Sequence, residues 1–131
     1  MSILAAMMGV MSESGGQDNT PDAIDWANTS GLGFASTSSE TVTGIYNTID
    51  VWWDYNVASG SGTPNFLVNV NGGGYTVFAS GTTNAVTVAN NQTLQFGGTS
   101  SGVGAWSRTI TIYNASDNNA VIDTFTMTVN T

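Results

Sequence analysis

Trp106 to Val129 reads WSRTITIYNASDNNAVIDTFTMTV, and this stretch decides the fold. Two alternating runs flank a polar turn, the pattern of a long β-hairpin. Trp106, Arg108, Ile110 and Ile112 share one phase of the first run. Val121, Phe125, Met127 and Val129 share a phase of the second, with Asp123 among them. Side chains two apart lie on one face of a strand, so each run offers an apolar face to a core.

Working outward, the same period recurs along the chain. Ile49 to Val57 (IDVWWDYNV) is a central strand. Ile49, Val51, Trp53, Tyr55 and Val57 lie on one face, and Asp50, Trp52, Asp54 and Asn56 on the other. Phe66–Val70 and Tyr75–Ala79 flank Asn71-Gly72-Gly73-Gly74, a hairpin turn whose residues tolerate positive φ. Ala23–Asn28 reads as a first strand with Ile24 and Trp26 inward, and Glu40–Thr43 opens a second that continues to Ile45. Gly31–Ser39 reads as a loop with Leu32 and Phe34 tucked in. Ala85–Val88 and Thr93–Phe96 read as one strand broken near Asn90-Asn91, and Gly97–Gly104 as a loop. About eight short, evenly spaced strands predict an all-β, Ig-like antiparallel sandwich of about 7–9 strands over residues 22–131.

Composition excludes several functions. The 131 residues hold one arginine, no lysine and nine carboxylates, for a net charge of −8. Nucleic-acid binding needs cations to neutralise phosphates, and anionic membrane surfaces repel such a chain. No cysteine or histidine is present, so thiolate metal sites, disulfides and the Ser-His-Asp triad are absent. Charged residues make up only 8% of the chain. Ser, Thr, Asn and Gly supply the polarity, while 40% apolar content allows a packed core.

Met1 to Met11 (MSILAAMMGVM) is apolar, too short to cross a bilayer, and lacks the basic start and cleavage site of a signal peptide. Ser12–Pro21 (SESGGQDNTP) is a polar linker. Residues 1–21 therefore read as an anchoring arm. Ile3, Leu4, Met7, Met8, Val10 and Met11 are its candidate partner-binding residues.

No catalytic constellation emerges, and the chain is expected to be no enzyme. Asp50 and Asp54 share a strand face roughly 13 Å apart, too far for one catalytic pair. Asp18, Asn19, Asp22 and Asp25, and again Asp117, Asn118 and Asn119, cluster as Ca²⁺ ligands can. Asx-rich turns explain both clusters without an ion, so no metal or other cofactor is expected. Arg108 and Asp123 fall on the core-facing phases of the terminal hairpin, which suggests a structural ion pair. Trp52, Tyr46 and Tyr113 are candidates for a glycan-stacking or interface surface. Gly72-Gly73-Gly74 lacks the lysine and helix of a phosphate loop.

Several stretches resemble the small Ig-like domains in virion proteins of tailed bacteriophages. They are IDWAN (Ile24–Asn28), TVTGIYNTIDV (Thr41–Val51), VNVNGGGYT (Val68–Thr76), VANNQTLQFG (Val88–Gly97) and TITIYNASDNNAVIDTFTMTV (Thr109–Val129). The last is the most specific, a Thr-rich strand followed by an N-x-S-D turn and V-I-D-T-F. The resemblance implies a non-enzymatic structural module on the virion surface, in a capsid decoration, head-fibre, neck or tail-associated protein. It carries no catalytic residues across. The arm in front of a single domain departs from the repeated arrangement and suits a small subunit docked on the major capsid protein or another virion subunit. Such an assembly would be symmetric and multicopy. Host-glycan binding is the alternative expectation.

Overall fold

The computed structural model describes residues 18–131. Ten strands form two sheets that face each other across one core. The first sheet contains β1 (Thr29–Leu32), β4 (Thr48–Ser59), β7 (Val86–Ala89), β9 (Trp106–Asn114) and β10 (Ala120–Asn130), ordered β1-β10-β9-β4-β7. The second contains β2 (Phe34–Ser36), β3 (Glu40–Thr41), β5 (Pro64–Val70), β6 (Tyr75–Val77) and β8 (Thr93–Ser100). Its order is β2-β8-β5-β6, with β3 also paired to β8. All pairings between these strands are antiparallel except that of β1 with β10. The Ig-like sandwich read from the alternating pattern is the fold, with one more strand among the described residues than the upper end of the predicted range.

The β9–β10 hairpin lies at the middle of the first sheet, and its inward residues make the floor of the core. Trp106, Ile110, Ile112, Phe125, Met127 and Val129 are all buried. From the second sheet, Phe96 packs 5.8 Å from Phe125 and 5.5 Å from Phe66, while Trp26 meets it edge-on at 4.9 Å. Burying each such ring contributes about 1.5–3 kcal/mol. Buried indoles also need acceptors. Trp26 donates to the Leu94 carbonyl, Trp53 to Phe78 and Trp106 to Thr99, at 3.1, 2.8 and 2.9 Å.

The outward phase of the hairpin is a hydroxyl ladder. Ser107 faces Thr128, Thr109 faces Thr126 and Thr111 faces Thr124, each pair of oxygens within 3.2 Å. This explains how a chain so poor in charge keeps one sheet face polar.

Several local expectations are corrected by the structure. Ala23–Asn28 is not a ladder strand. Ile24 and Trp26 do point inward, but side chains replace the ladder bonds. The Asp123 carboxylate accepts from the Trp26 N–H at 2.6 Å, and the Asn28 side chain accepts from the Thr126 N–H at 2.8 Å. The predicted loop 31–39 instead holds strand residues of both sheets. Gly33, at φ 76°, turns the chain from β1 into β2, a conformation glycine adopts without penalty. Leu32 and Phe34 are 79% and 42% exposed, not tucked in. The break at Asn90-Asn91 is a crossing between sheets, with Asn91 at φ 72°, so Val86–Ala89 and Thr93–Ser100 are separate strands. Gly97 and Gly98 belong to β8, where a Cβ on Gly98 would come within 2.7 Å of Met127 Sδ. A register shift between Val121 and Asp123 turns Val121 outward, 60% exposed, while Ile122 packs against the core. A one-residue bulge reverses the phase that simple alternation assigns.

Candidate functional site

The two ends of the sandwich differ. At one end, Asp18 bridges Ile45, the Asn19 amide donates to the Ser116 carbonyl, and Thr20 donates to Asp117 at 2.9 Å. Asn114 donates back to the Asn19 carbonyl at 2.6 Å. These bonds tie the entry of the described chain to the turn that closes the β9–β10 hairpin. A cleft of about 300 Å³ lies beside the entry, lined in part by Pro21, Ala23, Val121 and Ile122. Ile3, Leu4, Met7, Met8, Val10 and Met11 lie outside the described residues.

Arg108 sits near the start of β9, about 20 Å of strand away from Asn114. It belongs to the other end of the sandwich, where β4 ends and β5 begins. The proposed ion pair with Asp123 is not formed. Across the ladder Arg108 faces Met127, whereas Asp123 faces Ile112, roughly 13 Å farther along the strand. Arg108 Nη1 donates to the Ser59 and Ser107 carbonyls at 3.1 and 3.0 Å. Its guanidinium carbon lies 5.1 Å from the Tyr55 ring centroid and 6.0 Å from that of Trp106. Nε is buried and has no hydrogen-bond partner among the described residues. Burial pushes the Asp123 carboxyl above its ordinary range, opposed by the hydrogen bonds from Trp26 and Thr124, with Asp25 adding a smaller push in the same direction.

Trp52 and Tyr113 come together, and Tyr46 does not join them. The first two face each other across β4 and β9 and stack at 4.3 Å with 18° between planes. The Trp52 indole donates to Asn119 Oδ1 at 3.0 Å. Tyr46 is 71% exposed in the loop before β4. Asp50 accepts from the Thr87 hydroxyl, and Asp54 accepts from the Tyr55 N–H. Both belong to a polar sheet face.

The two Asx clusters form turns. Asp18 accepts from the Thr20 N–H, Asp22 from the Thr43 hydroxyl, and Asn114 from the Ser116 N–H. Asn118 and Asn119 take positive φ in the hairpin turn. Among the described residues no group of three His, Cys, Asp or Glu gathers at one point.

Sequence reading missed a second cleft, also about 300 Å³, between the sheets at the Arg108 end. Trp53, Tyr55 and Arg108 line it from the first sheet, and Phe66 and Val77 from the second. The shared phase of Trp53 and Tyr55 was visible, but their meeting with Phe66 depends on how the sheets stack.

No family model matches the chain, and no curated protein matches it in sequence. Among solved structures, the CfaE adhesin of enterotoxigenic E. coli aligns at 9% identity with TM-score 0.45. The alignment covers 80% of this chain and 46% of that one, so this chain spans less than half the adhesin's length. The N-terminal domain of PorA aligns at 14% identity with TM-score 0.37, over 87% of this chain and 88% of that one. Similarity at this level carries no functional argument.

Proposed function

We propose that the protein is a non-enzymatic structural subunit of a tailed-bacteriophage virion, a capsid decoration protein docked through residues 1–11. The observation that carries this reading is the tethering at Asp18–Thr20. The apolar segment precedes a polar linker that joins the sandwich at one end, beside the β9–β10 turn. That end also offers the cleft beside Val121 and Ile122. The sandwich then projects its other end away from the particle. The resemblance of Thr109–Val129 and the other quoted stretches to phage Ig-like domains supports the same reading.

Docking of Ile3, Leu4, Met7, Met8, Val10 and Met11 in a groove of the major capsid protein would gain about 25 cal/mol per Å² of apolar surface buried. Repeated copies on a symmetric shell add avidity. A neck, tail or fibre position uses the same anchor on a different subunit. A cryo-EM reconstruction of the particle tests the assignment. Density for the sandwich on the capsid surface, with residues 1–11 against the shell, is the expected result. Density at the neck or tail would reject capsid decoration.

A second reading is supported by the Trp52–Tyr113 stack on an otherwise polar face. Paired rings beside amides suit host-glycan attachment. A glycan array separates the readings, since specific binding abolished by Trp52→Ala would favour attachment as the primary role.

A further inference from the structure

Arg108 is the single cation of a chain with net charge −8, and among the described residues no carboxylate pairs with it. An isolated guanidinium in so acidic a chain is unexpected if charge serves only solubility. Its surroundings are also unusual. Two nitrogens are accounted for differently: Nη1 is held by two carbonyls, and Nε is buried with no partner among the described residues. Nη2 makes no hydrogen bond to a described residue. A buried polar atom left unpaired costs about 1–3 kcal/mol, and such groups in a native fold call for a reason.

Arg108 also lines the second cleft. Its floor is aromatic, with Trp53 and Phe66 packed 4.4 Å apart and buried except where they line the opening. Tyr55 is 45% exposed and is held by the stacked guanidinium. The rim is polar. Asn65 donates its amide to the Thr99 hydroxyl at 3.3 Å, and Ser80 is an exposed residue of the same lining. Apolar walls, a few polar groups and about 300 Å³ match the small end of ligand pockets, enough for one six-membered ring.

We infer that this cleft binds a carboxylate-bearing sugar unit of the uronic-acid type. Arg108 receives the carboxylate on Nη2, a charge-assisted contact stronger than a neutral hydrogen bond. The ring lies against Tyr55, and its hydroxyls meet Asn65 and Ser80. The overall negative charge opposes an approaching anion at long range. At physiological salt that field is screened beyond about 8 Å, so the local guanidinium decides. The site is independent of the docking end, because it lies at the opposite end of β9.

Titration of the ¹⁵N-labelled full-length protein with glucuronic acid, followed by NMR, tests the site. Glucose serves as the uncharged analogue, and a short peptide with a free C-terminal carboxylate as a second carboxylate source. Glucuronic acid is expected to shift the Tyr55, Phe66 and Ser80 amides and the Trp53 indole N–H. Glucose and the Arg108→Gln variant are each expected to bind roughly tenfold more weakly or worse. Ser80→Trp, at an exposed rim position, blocks the cleft without touching the core, and should abolish the shifts even if Arg108→Gln fails to fold. Equal binding of glucose, retained binding in Ser80→Trp, shifts confined to Trp52 and Tyr113, no shift at all, or shifts with the peptide alone would each overturn the inference.

Discussion

The Arg108 guanidinium stacks over Tyr55, its carbon 5.1 Å from the ring centroid, while its buried Nε has no hydrogen-bond partner among the described residues. The contact therefore combines a favourable cation–π term with an unpaired donor. These effects are similar in size, about 0.5–2 kcal/mol for the stack and about 1–3 kcal/mol for the orphan. The aliphatic stem packs at the cleft wall, and this apolar contribution is separable from the charge. Arg108→Met keeps a long stem and removes the orphan, so its stability should lie within about 1 kcal/mol of the parent. Arg108→Ala loses the packing as well and should cost about 1–2 kcal/mol. Urea midpoints at neutral pH measure both, and equal losses would show that charge, not packing, holds this corner.

Asp123 is coupled to Trp26 through a 2.6 Å hydrogen bond from the backbone N–H. Burial raises its pKa above the ordinary value of 3.8 despite that bond. The raised folded value means the folded state holds this proton more tightly than the unfolded one. The associated stability is present below the unfolded pKa and is lost as pH rises through the folded one. Asp123→Asn retains an acceptor for Trp26 and removes the titration. Its stability relative to the parent should rise as pH increases from below 3.8 toward neutrality. Thermal unfolding across that range reads the difference, and a difference falling with pH would contradict the desolvation argument.

Two glycines separate conformational strain from crowding. Gly72 sits at φ 73° in the β5–β6 turn, with nothing near its missing Cβ. Gly72→Ala should cost about 1–2 kcal/mol, the left-handed penalty alone. Gly98 has no positive φ, but an added Cβ would approach Met127 Sδ at 2.7 Å and the Trp106 ring at 2.9 Å. Gly98→Ala should cost about 1–3 kcal/mol through overpacking. Restoring room with Met127→Ala should recover part of that loss, in a double-mutant cycle, only for Gly98→Ala.

The fold was legible because alternation is a local property. The β9–β10 hairpin, β4 and the Asn71-Gly72 turn all follow from period and turn chemistry. What stayed hidden depends on neighbours distant in sequence. The bulge after Val121 reverses the phase of the strand start, and alternation gives no sign of it. The Arg108–Asp123 pair looked plausible from phase, but phase does not fix register, and the register sets the two about four residues apart. Gly97-Gly98 looked like a loop because a strand glycine pressed against Trp106 has the same local composition as a flexible one. Tyr46 matched Trp52 and Tyr113 in type, yet only residues facing each other across β4 and β9 meet.

The most direct measurement is co-sedimentation of the purified chain with phage particles lacking it, comparing the full-length protein with a form missing residues 1–11. Far-ultraviolet circular dichroism confirms that the shortened form keeps its β signal. The full-length protein should pellet with particles in saturable, symmetric copy number, and the shortened, folded form should remain in the supernatant. A folded shortened form that pellets as well as the full-length protein would contradict docking through the apolar arm.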